Sequence, residues 1–161
     1  MSRRARSRPG RAGLSFLVSQ VGAHAAQTFG RDLVPLELTP QHVGILRLLA
    51  TSDEPLTQRD LAERLRVLPS RLVALLDALE QRRFLGREID PEDRRRKRLR
   101  LTAEGHEAFE NAEVVRRALD ERLFGGLSVV ERTTLLGLLE RVAEDQGLVP
   151  GVHPAYQEIE D

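Results

Sequence analysis

Hydrophobic positions along this chain recur mostly every three or four residues, the spacing of one face of an α-helix. Leu14, Leu17, Val18, Val21, Ala25 and Phe29 form the first stripe. Thr39-Pro40 has the form of an N-cap followed by proline in the first helical turn, and Val43, Leu46, Leu49 and Ala50 continue it on one face. Ser52 to Pro55 reads as a turn. Thr57, with Asp60 three residues on, is a capping-box pair; it opens a predicted helix over 57–66 with Leu61 and Leu65 inward. Pro69 and Ser70 open another over 69–81, with Leu72, Leu75, Leu76 and Leu79 inward. Two helices separated by about three residues have the spacing of a helix-turn-helix, whose second helix is the candidate reader of a groove.

The period then changes. Residues 84–89 and 97–101 fit two short strands, and Asp90-Pro91-Glu92-Asp93 followed by Arg94, Arg95 and Arg96 reads as a turn running into cations. Alternation puts Arg96, Arg98 and Arg100 on one face and Lys97, Leu99 and Leu101 on the other. Thr102 caps a long helix over 103–124, with Ala108, Ala112, Val115, Leu119 and Leu123 on one face, and Gly125-Gly126 ends it. Ser128 and Glu131 form a capping box for a last helix with Leu135, Leu138, Leu139 and Val142. The fold class expected is mainly α with a small β-hairpin wing: a winged helix-turn-helix plus a helical dimerisation region. The domains expected are a basic arm (1–13), the dimerisation region (14–38 and 103–148), the DNA-binding unit (39–102) and a tail (149–161). The first and the last two helices lie outside the small winged-helix core in this pattern. Their apolar faces are expected to pack on the same helices of a second chain, which would set two reader helices about one DNA turn apart.

Charge sharpens this picture. The chain's 25 basic and 25 acidic residues cancel, but residues 1–38 carry +4, residues 39–101 carry +4 and residues 102–161 carry −8. One part of the sequence suits a polyanion and another does not. Lys97 is the only lysine, and arginine supplies the planar fork that matches phosphates and guanine edges. Residues 1–11 hold five arginines and no acid; Gln20 and His24 break the apolar core that an export signal requires, so a basic arm leading into a helix is expected.

Several function classes drop out. No cysteine is present, which excludes disulfides, thiolate metal sites and cysteine nucleophiles. Aromatics are 4% of residues, too few for a base-stacking platform. No apolar run of about 18 residues is present, so no membrane-spanning helix is expected. No nucleophile elbow, phosphate loop or metal-ligand motif is found, so no enzyme activity and no cofactor are expected. The location expected is the cytoplasm.

The stretch from Leu38-Thr39-Pro40-Gln41-His42 to Leu101-Thr102-Ala103-Glu104-Gly105 resembles the MarR family of bacterial transcriptional regulators. Asp90-Pro91-Glu92-Asp93-Arg94-Arg95 and Leu99-Arg100-Leu101-Thr102-Ala103-Glu104-Gly105 carry the likeness most specifically, supported by Leu56 to Leu65 and Leu75 to Glu80. The resemblance implies a homodimer that binds double-stranded operator DNA, usually as a repressor, and a small aromatic or anionic effector that releases it. It places Ser70 and Arg71 at the start of the reader helix, Arg95 in the minor groove, and Asp93 as the aspartate that braces the wing. Val73 and Ala74 stand where the family has polar residues, leaving thymine methyls as their partners. Arg66 and Arg83 stand where it has glycines. Arg82, Arg83 and Arg87 would shift the balance towards phosphate contacts. The expected DNA-binding set is Ser70, Arg71, Val73, Ala74, Arg94, Arg95, Arg96 and Arg98, with His24, His42 and Arg47 in the ligand cleft. Two other readings stay open. One is a winged helix that binds a protein through its apolar reader helix. The other is a zinc-responsive sensor using His24, His42, His106 and a carboxylate such as Glu107.

Overall fold

The computed structural model describes residues 13–90 and 97–148. Asp93, Arg94, Arg95 and Arg96, the arm before residue 13 and the tail from residue 149 lie outside the described residues. The order is α1 (Leu14–Leu33), a 3₁₀ turn (Val34–Leu36), α2 (Pro40–Thr51), β1 (Leu56–Thr57), α3 (Gln58–Leu65), α4 (Pro69–Gln81), β2 (Leu85–Ile89), β3 (Lys97–Leu101), α5 (Ala103–Phe124) and α6 (Val129–Asp145). Each expected helix is found, and the four begun by Thr39, Thr57, Thr102 and Ser128 carry side-chain caps. Thr57 Oγ1 accepts from the Asp60 N–H while the Asp60 carboxylate accepts from the Thr57 N–H. Ser128 and Glu131 repeat the arrangement. Thr39 caps α2, and its box partner is a histidine: the Thr39 N–H donates to His42 Nδ1 at 3.3 Å.

The sheet has three antiparallel strands in the order β1-β3-β2. Leu85 pairs with Leu101 and Arg87 with Leu99, which puts three leucines on the buried face. β1, which the sequence does not predict between the turn at 52–55 and the helix expected from Thr57, adds an outer strand by pairing Leu56 with Leu99. Thr57 serves both as its second residue and as the cap of α3.

One hydrophobic core holds the winged helix together. Leu33, Ile45, Leu46, Leu61, Leu72, Leu76 and Leu79 are fully buried in it. Ala108 and Ala112 of α5 belong to the same cluster. This corrects the view that the flanking helices serve dimerisation alone. The end of α1 and the start of α5 close the winged-helix core, because alanines on α5 let its backbone come close to α1 and α2. The two long helices are also tied by the Arg122–Asp32 ion pair.

Candidate nucleic-acid interface and ligand cleft

The reader helix α4 is two-faced. Leu72, Leu76 and Leu79 are buried, while Ser70, Val73 and Ala74 are exposed and Arg71 is half-buried. A 13-residue helix that starts on Pro69 fixes the entry of its first turn. No helix, strand or loop covers the Ser70, Val73 and Ala74 face among the described residues.

The wing grows from the end of this helix. Its root is an ion pair: Arg98 Nε donates to Asp90 at 2.8 Å, and Asp90 is almost fully buried. A buried carboxylate needs such a partner, so Asp90 braces β3 at the point where the strands part. The sequence reading gave the bracing to Asp93. Asp93 lies outside the described residues; Asp90, one residue beyond β2 and directly before Pro91, makes the contact to Arg98. Arg98, expected to face DNA, spends its Nε on this root. On the outer face Arg100 and Glu88 form a loose exposed pair at 3.5 Å.

Two arginines expected at phosphates turn inward. Arg87 bridges Asp77 at 3.2 Å and Glu80 at 2.8 Å, tying β2 back to α4. Arg82 donates to the carbonyls of Glu37 at 2.7 Å and Leu36 at 3.0 Å, and its guanidinium lies 4.4 Å from the centre of the Phe84 ring. It thus fastens the end of α4 to the 3₁₀ turn that follows α1. Acceptors 45 residues away in sequence decide this, which local pattern does not reveal.

The hairpin feet are locked to α5. The Thr102 N–H donates to the Phe84 carbonyl at 3.2 Å, its hydroxyl donates to the Arg83 carbonyl at 2.5 Å, and the same oxygen caps α5 by accepting from the Gly105 N–H at 3.0 Å. A Cβ on Gly105 would lie 1.9 Å from the Phe84 carbonyl oxygen, so only glycine fits there.

Between α1, α2 and α5 lies an open cleft of about 350 Å³. Gly22, Ala25, Ala26 and Gly44 keep it roomy, Phe29, Val43 and Leu119 make it apolar, and Arg47, Glu113 and Arg116 supply charge. Arg116 Nε donates to Glu113 at 2.8 Å, and Arg47 stands 3.7 Å from the same carboxylate. The pairing with Glu113 holds the Arg116 pKa above its ordinary value. Asp120 holds the other side of Arg116 at 2.6 Å, so Arg116 is paired twice, whereas Arg47 has only the longer contact to Glu113 among the described residues. Of the three cleft residues expected from the sequence, Arg47 lines it. His24 is exposed on α1, and His42 sits in the α2 capping box instead. The reading missed Arg116 and Phe29, whose spacing on α5 and α1 says only which face they share.

Burial, and then the nearby Arg82 guanidinium, lower the His42 pKa below its ordinary value of 6.5. Among the described residues no three His, Asp or Glu side chains converge on a metal position, so His24, His42, His106 and Glu107 do not form the zinc cluster considered from the sequence. Among those residues, too, no helix is long and apolar enough to cross a membrane.

Comparison with known proteins places this architecture. A family model described as MarR family matches residues 36–96. A putative transcriptional regulatory protein for the hcr operon of Thauera aromatica is 30% identical over 161 residues, spanning 92% of this chain and 96% of that protein. The structure of CouR from Rhodococcus jostii RHA1 bound to p-coumaroyl-CoA is similar with a TM-score of 0.69 at 30% identity, over 85% of this chain and 96% of that one. A Mycobacterium tuberculosis MarR family protein, Rv2887, in complex with DNA is similar with a TM-score of 0.69 at 28% identity, over 81% of this chain and 98% of that one. The chain belongs to the MarR family of transcriptional regulators.

Proposed function

We propose that the protein is a dimeric cytoplasmic repressor that binds a pseudo-palindromic operator and lets go when an aromatic anion enters the cleft. The observation that carries this reading is the uncovered face of α4, set beside a cationic hairpin on a single rigid core. Ser70, Arg71, Val73 and Ala74 enter the major groove, with the two apolar side chains against thymine methyls. Arg94, Arg95 and Arg96 follow the minor groove and its backbone, where the negative potential is strongest, with Arg98 at the wing root beside them. Asp93 adds to the bracing begun by Asp90. The related Rv2887 in complex with DNA supports the groove assignment.

The cleft takes the effector. A ring slides beside Phe29 over the small residues, and its carboxylate competes with Glu113 for Arg47 and Arg116. CouR bound to p-coumaroyl-CoA supports an aromatic acid or its thioester as the class. The ligand acts only through its different affinity for the DNA-bound and released states.

The test is a fluorescence-anisotropy titration of a duplex from the protein's own upstream region. The unsubstituted chain is expected to bind with steep salt dependence. Arg95→Ala is expected to weaken binding about 100-fold, the loss of a groove arginine from each half-site. Arg47→Ala is expected to bind DNA normally but to resist release by hydroxycinnamates and their thioesters. No binding to any duplex at low salt would turn the reading towards a protein-interaction module.

A further inference from the structure

The joint of the helix-turn-helix carries an arginine in a conformation that arginine does not favour. Arg66 has φ 52° and ψ 40°, in the left-handed region where a Cβ crowds the following carbonyl and glycine is at ease. Its N–H closes the end of α3 on the carbonyls of Ala62 and Glu63, a task that glycine performs equally well. The side chain is exposed. Its guanidinium has no hydrogen-bond or ion-pair partner among the described residues.

Three other arginines of the winged helix are spent inside the chain, whereas Arg64 and Arg83 are exposed like Arg66. Arg59 donates to Glu63, Arg87 to Asp77 and Glu80, and Arg82 to two carbonyls. Glu37, also at positive φ, pairs with Arg82 at 3.5 Å. Arg83, the third such residue, stands at the far end of α4 beside the start of α5. Arg66 stands three residues before Pro69, at the end of α4 that carries Ser70. A strained residue whose side chain holds nothing inside its own chain is one whose use lies outside it.

We infer that Arg66 is a phosphate-binding residue of the DNA interface, its guanidinium resting on the duplex backbone beside the groove that α4 enters. The inference rests on the DNA-binding reading above. In a helix-turn-helix the first helix crosses the backbone while the first residues of the second reach the bases. The joint between them therefore runs along the phosphate line, and a cation there neutralises a phosphate whatever the sequence.

The test uses the full chain, a labelled duplex and a salt series. Arg66→Gly relaxes the backbone and removes the cation; Arg66→Lys keeps the cation. Arg66→Gly is expected to raise the thermal midpoint yet to lose affinity on the order of tenfold at about 0.1 M salt. The slope of log K against log salt should become shallower by about 1.8, two contacts per dimer at about 0.9 each. Arg66→Lys should keep most of the slope. The inference is overturned if Arg66→Gly binds with the original slope and affinity, or if Arg66→Lys loses as much slope as Arg66→Gly. Failure of the unsubstituted chain to bind any duplex removes the DNA-binding reading itself, a separate and recognisable outcome.

Discussion

Helices α4 and α6 are built from similar leucine-rich sequence and end in opposite situations. α4 sinks Leu72, Leu76 and Leu79 completely. α6 buries no residue: Val129 and Val130 are 81% and 75% exposed, and Leu136, Leu138, Leu139 and Val142 are uncovered as well. It is attached mainly through Arg132, which grips Glu121 of α5 and the Leu127 carbonyl. Near the other end of the sequence, Leu14, Phe16, Leu17 and Val18 of α1 are equally bare. The lesson is that periodicity shows where an apolar face is and says nothing about what covers it. The winged helix completes its core with the end of α1 and the start of α5, whereas α6 and the first half of α1 present apolar faces of the kind that mark an interface, and a second copy covers them in the proposed dimer.

Three substitutions break or sharpen that contrast, from the largest effect down. Leu76→Ala should cost about 2–5 kcal/mol through lost burial and a cavity, read as a shift of the urea midpoint. Leu139→Asp on α6 should leave the winged-helix core intact but convert the dimer to monomer in sedimentation. A dimer that survives it would refute α6 as the shared face. Arg82→Gln should cost about 1–2 kcal/mol, less than a fully buried charged contact because the side chain is partly solvated.

The smallest effect concerns His42 and pH. Its lowered folded pKa means the unfolded chain takes up the proton first as pH falls. Stability is therefore full above about pH 6.5, declines as pH falls towards the folded value, and levels off below it. His42→Gln keeps an acceptor for the Thr39 N–H and should flatten this part of the urea-midpoint profile.

The helices were legible because each carries its own stop and start signals: Thr39-Pro40, Thr57 with Asp60, Ser128 with Glu131. β1 was not, since two residues offer no alternation and its partner Leu99 is remote in sequence. The division of labour of the arginines was hidden for the same reason. Arg82 and Arg87 look like Arg66 in composition, and only the fold brings acceptors to the first two. The cleft was half visible. Arg47 was found as a cation on the right helix, but Arg116 and Glu113 become its neighbours only once α5 crosses α2.

Both legs of the hairpin are anchored at one spot, since Thr102 holds Phe84 and Arg83 while it starts α5. The two strands then act as a rigid pointer of about 17 Å, five residues at about 3.3 Å each. Tilting α5 by about 10° would swing the outer ends, Ile89 and Lys97, by about 3 Å, close to the rise of one base pair. In the proposed mechanism, a molecule wedged beside Arg116 on α5 thus needs to move its surroundings very little to put the hairpin out of step with a duplex.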